Sequence, residues 1–462
     1  MSTKYSSRRH FLRQTGGWAF SLTALPAIVP GSALGLGGSV APSARIAVGS
    51  IGLGGRGLDD LRAFLNEKDA QVVAVCDVHA GRLEKARQVV NQHYGNSGCR
   101  GYEDFRELVA RKDIDACVIA TADQWHVLTA LAAVRAGKDV YVEKPLGLSV
   151  REGQALRQEV HRHKRVFQFG TQQRSDRKFR VACELALNGR IGKLRHIAVW
   201  APGSVPGGPT ELVAPPRGLN YDLWLGPCRS KPYTKDLADT PYGTPEPTWR
   251  FISDYALGFI AGWGIHPLDI AVWGAGAQLF GGPLEVEGRG TFHSEGVCDT
   301  ATIWNVKMKA ASGLTLLFVG TPNGYGKPTG EPWPQEGDWK QRYGEISDYG
   351  TALEGADGWV HVDRDRIHFH PESLVDENED SFGIRLPKSP QHVRNFLACI
   401  KSRAETVCPI DEAVRSDTLC HVSDIAMRLN RKVIWDPKRE RFTDDPEANL
   451  RLARRMRAPW RL

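Results

Sequence analysis

From residue 45 onward, short apolar runs alternate with stretches of helical spacing. Arg45–Ile51 (RIAVGSI) reads as a buried strand, and Leu58, Leu61 and Leu65 follow at helical intervals. A second strand is expected over Gln71–Cys76 and a third over Ile114–Thr121, then an alanine-rich helix to Ala136 with Gly137 at its C-cap. Asp139–Val142, the helix Arg151–Lys164 and the strand Val166–Phe169 continue the alternation. Strand and helix in strict turn predict right-handed crossovers and a parallel, doubly wound sheet over residues 44–170. Beyond Arg174 the pattern changes. A helix over Arg177–Leu187 ends at Asn188-Gly189, and period-two segments follow at Leu194–Trp200, Leu284–Thr291, Ala301–Lys309, Leu314–Val319 and Gly358–Phe369. They predict a C-terminal α+β domain over residues 171–462 with a large open, mostly antiparallel sheet. Two helices, Pro390–Ser402 and Glu412–Leu429, return near the end, while residues 201–250 and 321–348, rich in Pro, Gly and Trp, read as long loops over a pocket.

Chemistry enters at the strand ends. Gly52, Gly54 and Gly57 form G-x-G-x-x-G after the first strand and open a helix, a turn whose backbone can approach a pyrophosphate at the helix N-terminus. Asp77 ends the second strand 20 residues beyond Gly57, where a carboxylate bonds ribose hydroxyls and repels a 2′-phosphate. The expected fold is therefore a Rossmann domain and the expected cofactor NAD, with Arg82 and Lys85 keeping NADP open. Glu143-Lys144-Pro145 stands at the carboxyl end of a further strand, where ligands of such sheets bind.

The order of these pieces resembles the glucose-fructose oxidoreductase, inositol dehydrogenase and rhizopine-catabolism (Gfo/Idh/MocA) family. The glycine turn, Asp77, Ala120-Thr121-Ala122-Asp123-Gln124-Trp125-His126 and Glu143-Lys144-Pro145-Leu146 carry the likeness. It continues through Gly170-Thr171-Gln172-Gln173-Arg174, Trp224-Leu225-Gly226-Pro227, Trp263-Gly264-Ile265-His266-Pro267-Leu268-Asp269 and the tail Arg457–Leu462. The resemblance implies that Lys144 contacts the substrate hydroxyl and the nicotinamide, that the Lys144–Pro145 peptide is cis, and that His266 moves a proton at its ordinary pKa of about 6.5. Thr121, Trp125, His126 and Glu143 fall on its cofactor side, and Arg174, Trp263 and Asp269 on its substrate side. It further implies a homodimer or homotetramer through the free face of the large sheet. One position departs from the family: the aspartate expected four residues before His266 is Gly262. Either another carboxylate serves, Asp254 and Asp269 being nearest in sequence, or the chemistry is altered or absent.

Ser7-Arg8-Arg9-His10-Phe11-Leu12-Arg13 followed by a modestly apolar stretch predicts a twin-arginine signal over residues 1–43, delivery to the periplasm by the twin-arginine translocase, and a tightly held cofactor. The stretch is too short and glycine-rich for a membrane span. The net charge is +7, and four of its positive charges lie in residues 1–43, so the remainder implies no nucleic-acid partner. Five arginines within Arg451–Arg461 read as a docking tail on acidic surface. Nine cysteines show no C-x-x-C spacing; Cys76 and Cys117 read as small core residues, and a bridge from Cys399 to Cys408 or Cys420 stays open. His368 and His370 share a strand face without a third ligand nearby, so no metal is expected. Trp125, Trp200, Trp224, Trp249, Trp263 and Trp273 cluster around the motifs and suit stacking on a sugar or cyclic polyol. Three readings follow: an exported NAD-dependent sugar oxidoreductase, a redox-assisted glycoside hydrolase or lyase, and a non-catalytic sugar-binding protein on the same fold.

Overall fold

The parallel half is built as the alternation predicts. In the computed structural model, which describes residues 40–41, 44–239, 243–244, 246–324, 327–328, 333–376 and 379–462, the strands β1 (Ile46–Ile51), β2 (Ala70–Cys76), β3 (Arg100–Tyr102), β4 (Ala116–Ile119), β5 (Asp139–Val142) and β6 (Phe167–Phe169) form one sheet. Their order is β3-β2-β1-β4-β5-β6, and every neighbouring pair is parallel. Chain order reverses between β1 and β4, and such a reversal opens a crevice at the carboxyl ends of those strands. The twin-arginine segment lies outside the described residues.

Helices cover both faces of this sheet. Gly55–Leu65 turns Leu58, Leu61, Phe64 and Leu65 inward, and Phe64 meets Tyr141 and Phe396 edge-on at 5.8 and 6.2 Å. Phe396 belongs to the late helix His392–Ser402, so the end of the chain returns to the first domain. Arg394 and Lys401 of that helix bind Asp69, and the Arg394 hydrogen bonds hold its carboxyl down at about 2.

The second sheet runs Ile367–His370, Trp359–Val362, Gly350–Glu354, β7 (His196–Pro202), β10 (Thr315–Thr321), β9 (Ile303–Ala310), β8 (Leu284–Thr291), Val433–Asp436, Arg441–Phe442. Its pairs are antiparallel except β7 with β10, which is parallel. Along β8 buried and exposed positions alternate, and the buried face lies under the helix Ile410–Leu429. One apolar cluster joins Ile51, Ile119 and Val142 of the first sheet to Leu268, Phe318 and Val422 of the second region, so residues 46–462 share a continuous core.

Three expectations change. Gly358–Phe369 is not one strand but a hairpin, because Asp363 accepts the amides of Asp365 and Arg366, both at 2.8 Å, and turns the chain. The loop expected over residues 321–348 contains the helix Glu336–Tyr343, which buries Trp339 and Tyr343 against Trp200. Trp200 thus packs core rather than pocket. The helix Ile265–Ala275 is buried on every side, so its sequence carries no amphipathic period to announce it. All nine cysteines are free and buried, including Cys399, Cys408 and Cys420.

Candidate active site

The loops leaving β1, β2, β4 and β5 line a cavity of about 380 Å3, to which Trp249, Phe259 and Gly262 of the second region also contribute. Gly52, Gly54, Gly57, Asp77, Thr121, Trp125, His126, Glu143, Lys144 and Trp263 all line it. The glycines do different work. Gly52 sits at φ +84°, and a Cβ there would lie 2.5 Å from the Thr121 amide nitrogen; a Cβ on Gly57 would lie 1.9 Å from the Gly52 carbonyl oxygen. These two close the turn. Gly54 faces the cavity, with only the Arg82 guanidinium, 4.0 Å away, near its Cβ position. It is the N-cap of Gly55–Leu65, no side chain caps that helix, and its first amides are therefore available to an anion.

Asp77 is buried and accepts the amides of Leu53 at 2.7 Å and His79 at 2.8 Å. Burial raises its carboxyl above the ordinary value, against the pull of those amides and of Arg82. The Arg82 guanidinium donates to the Ala238 carbonyl at 2.6 Å. Thr121 Oγ1 is buried at the cavity wall with no hydrogen-bond partner among the described residues. An open glycine cradle, uncapped helix amides, a strand-end carboxylate and an orphaned hydroxyl fit a dinucleotide.

The wall is braced through backbone carbonyls. Trp125 Nε1 donates to Leu223 O at 2.8 Å, Gln124 Nε2 to Trp224 O at 3.0 Å, and Gly226 has room only for a hydrogen where the Trp125 ring passes. His126 brackets the Lys144–Pro145 turn, Nδ1 lying 2.6 Å from Pro145 O and Nε2 3.1 Å from Thr121 O. That peptide is cis. Trp460 of the tail packs edge-on against Trp125 at 4.7 Å, and Arg457 binds Asp222 at 2.5 Å and Gly226 O at 2.9 Å. The arginine tail docks, as expected, though through one acid and two carbonyl-rich turns rather than an acidic patch.

Lys144 Nζ donates to Gly262 O at 2.6 Å. Burial pulls its ammonium down to about 8, against the attraction of Glu143 and Asp123. Burial alone would raise Glu143, but Arg56, 3.0 Å away, and Lys144 hold it below its usual value; Gln172 also donates to it at 2.7 Å. Asp123, which lines the same cavity, is 7% exposed, and burial pushes its carboxyl up to about 7 against the charges of Lys144 and Arg250. Arg250 stacks on Trp249 at 4.8 Å, and both line the same space.

His266 is buried beside Trp263, ring centres 5.6 Å apart, and its Nδ1 has no hydrogen-bond partner among the described residues. It does not line the cavity. Burial first, then the charges of Lys144 and Arg364, hold it neutral well below 6.5, which corrects the expectation of an imidazole titrating near neutrality. Arg174 and Asp269 also lie away from the cavity. They pair at 2.7 and 2.8 Å with side chains 1% and 0% exposed, Ser416 donates to Asp269 at 2.6 Å, and the guanidinium rests on Trp273 at 5.0 Å. A fully buried pair of this kind, away from the cavity, offers no group to a substrate there. Asp254, the other candidate to replace the missing aspartate, pairs with Lys231 instead. Sequence reasoning placed Trp249 near the site but missed Arg56, Asp123 and Arg250. Asp123 alone carried a signal, since it follows a strand end.

A parallel sheet of this order with such a cradle is the architecture of an NAD-binding Rossmann domain. Residues 46–171 match the description "Oxidoreductase family, NAD-binding Rossmann fold" and residues 352–462 match "Oxidoreductase family, C-terminal alpha/beta domain", together just over half the chain, and the chain belongs to this Gfo/Idh/MocA family. It is 31% identical over 163 residues to glycosyl hydrolase family 109 protein 1 of Shewanella sp. (strain MR-4), and 33% identical over 159 residues to an alpha-N-acetylgalactosaminidase of Shewanella oneidensis. Each match covers 31% of this chain and 35% of the relative, so the chain spans about a third of their length. In fold it is similar to the aldose-aldose oxidoreductase of Caulobacter crescentus (TM-score 0.59, 17% identity, 84% of this chain and 99% of that one). Scyllo-inositol dehydrogenase of Lactobacillus casei, solved with NAD(H) and scyllo-inositol, gives TM-score 0.55 at 19% identity, with 84% and 99% covered.

Proposed function

We propose that this protein oxidises a hydroxyl of a sugar or cyclic polyol at its NAD site, with Lys144 holding the reacting oxygen. The observation that carries this reading is the position of Lys144 Nζ at the cavity wall, tied to Gly262 O and facing the space that Gly54, Asp77 and Thr121 border. Gly52, Gly54, Gly57 and Asp77 would hold the dinucleotide, which supplies a hydride acceptor. An ammonium has three donors; one is spent on Gly262, and the others remain to polarise a hydroxyl. Near neutrality Lys144 is mostly charged, so it stabilises oxygen as negative charge develops there. Trp249 and Trp263 offer apolar faces to a sugar's C–H surface. His266, neutral behind Trp263, does not store a proton near neutrality. Loss of nucleotide-dependent oxidation in Lys144→Met, with nucleotide still bound, tests this reading; full turnover in that variant defeats it.

A second reading has its own support. The relatives named as glycosyl hydrolase family 109 proteins and as an alpha-N-acetylgalactosaminidase favour transient oxidation of a glycoside, elimination and re-reduction, with no net redox. Release of nitrophenol from an aryl α-N-acetylgalactosaminide without added NAD separates it from simple dehydrogenation. We also propose export by the twin-arginine route, supported by Arg8-Arg9 and the residues around them. Changing both arginines to lysine then leaves the protein in the cytoplasm, and undiminished periplasmic delivery rules the route out.

A further inference from the structure

The Lys144 reading leaves a gap. An ammonium polarises a hydroxyl but cannot take its proton, and at position 262 the chain offers a carbonyl oxygen, which is no base. His266 stands behind the wall and off the cavity. We propose that Asp123, on the turn after β4 and lining the same cavity as Lys144, is the catalytic base that serves in place of the absent aspartate before His266. This rests on the oxidoreductase reading above.

Four observations carry it. Asp123 lines the same cavity as Lys144, and its carboxylate is buried there. It forms no ion pair with a described residue, unlike Asp254 with Lys231, Asp269 with Arg174 and Glu143 with Arg56. It begins the short turn Asp123–Trp125, and Gln124 and Trp125 bond the 223–224 carbonyls, so its backbone is fixed. The groups that set its charge are Lys144 and Arg250, which favour the carboxylate, and Asp417, which opposes it; burial outweighs them and brings its titration to about 7, where a base can both take and return a proton. In the step the carbinol C–H bond breaks and its electron pair leaves as hydride to oxidised nicotinamide. The O–H bond breaks and its proton goes to the Asp123 carboxylate, while the C=O bond forms. Substrate ends as ketone, nucleotide reduced, Asp123 as the acid, and water reclaims its proton before the next cycle.

The test uses the full chain loaded with nucleotide. Asp123→Asn should lower turnover at least ~100-fold, the range expected for an acid–base group, and remove the acid limb of the kcat/KM profile, while NADH affinity by fluorescence changes less than about threefold. Adding Gly262→Asp to that variant should return about tenfold or more of the lost turnover, because a Cβ at 262 meets nothing closer than Phe259 Cδ1 at 3.5 Å. A readout free of turnover is the infrared carboxylic C=O band of wild type minus Asp123→Asn, which should titrate near 7. An Asp123→Asn enzyme that keeps its turnover and acid limb overturns the proposal, and so does a difference band that titrates in the ordinary carboxylate range of about 4. If Lys144→Met is inactive and Asp123→Asn is active, this inference alone fails. If both are active, the reading of the cavity fails with it.

Discussion

Arg174–Asp269 and Lys144 with Asp123 are both opposite charges taken out of water, and they differ in where their unused hydrogen-bonding capacity points. The first pair is saturated: two parallel bonds, a serine hydroxyl and an indole face close every side. The second is not joined, although both groups line one cavity: Lys144 is bound to one carbonyl, and Asp123 forms no ion pair with a described residue. Saturation leaves the first pair no group facing the cavity; burial brings Lys144 and Asp123 to titrate near neutrality, at about 8 and about 7. Stability and reactivity are thus divided between two charge pairs, one buried in the core and one on the cavity.

The comparison breaks most sharply at Lys144. Lys144→Met should cost two or more orders of magnitude in turnover with little change in melting temperature or nucleotide affinity, measured by steady-state kinetics and NADH fluorescence. In the saturated pair the effects should be reversed. Asp269→Ala strands the Arg174 guanidinium in the core and should cost about 3–5 kcal/mol in urea unfolding, whereas replacing both partners with apolar residues should cost less.

Acid sharpens the contrast further. His361 and His392 are pulled down to about 4 by burial. Between that value and about 6.5 the unfolded chain binds protons that the folded one refuses, so stability should be complete above this window and fall as pH drops through it. Melting temperatures measured at intervals from about pH 7 to about pH 4 check the slope, and His361→Gln should flatten it. The smallest effect expected is at the tail: Trp460→Ala removes an edge-on contact with Trp125 worth about 0.5–1.5 kcal/mol, so NADH affinity should weaken by about tenfold or less.

Much of the first sheet was legible because parallel strands buried on both faces read as uninterrupted apolar runs, and glycines mark the turns that backbone contact demands. Arg100–Tyr102 was not, being a three-residue edge strand with exposed positions. In the second sheet Val433–Asp436 and Gly350–Glu354 were missed because they are only four and five residues long, too short to show a clear alternation. Gly52, Gly54, Gly57, Asp77 and Lys144 could be placed from local order alone. Arg174 and Asp269 could not: both have the residue types of a binding site, and only the fold shows that they satisfy each other. Asp123 was hidden by the reverse effect, a carboxylate inside a motif read for its tryptophan and histidine.

The bond from Lys144 to Gly262 has a consequence for mutational tolerance. A contact to a side-chain carboxylate is lost with nearly any substitution, but a contact to a main-chain carbonyl belongs to the path of the chain and survives a change of residue. Gly262 has no left-handed φ and no crowding at its Cβ position, so alanine, serine or aspartate there keeps the same oxygen in the same place. The lysine's anchor is therefore insensitive to drift at position 262, which leaves that position free to acquire a side chain that reaches the substrate.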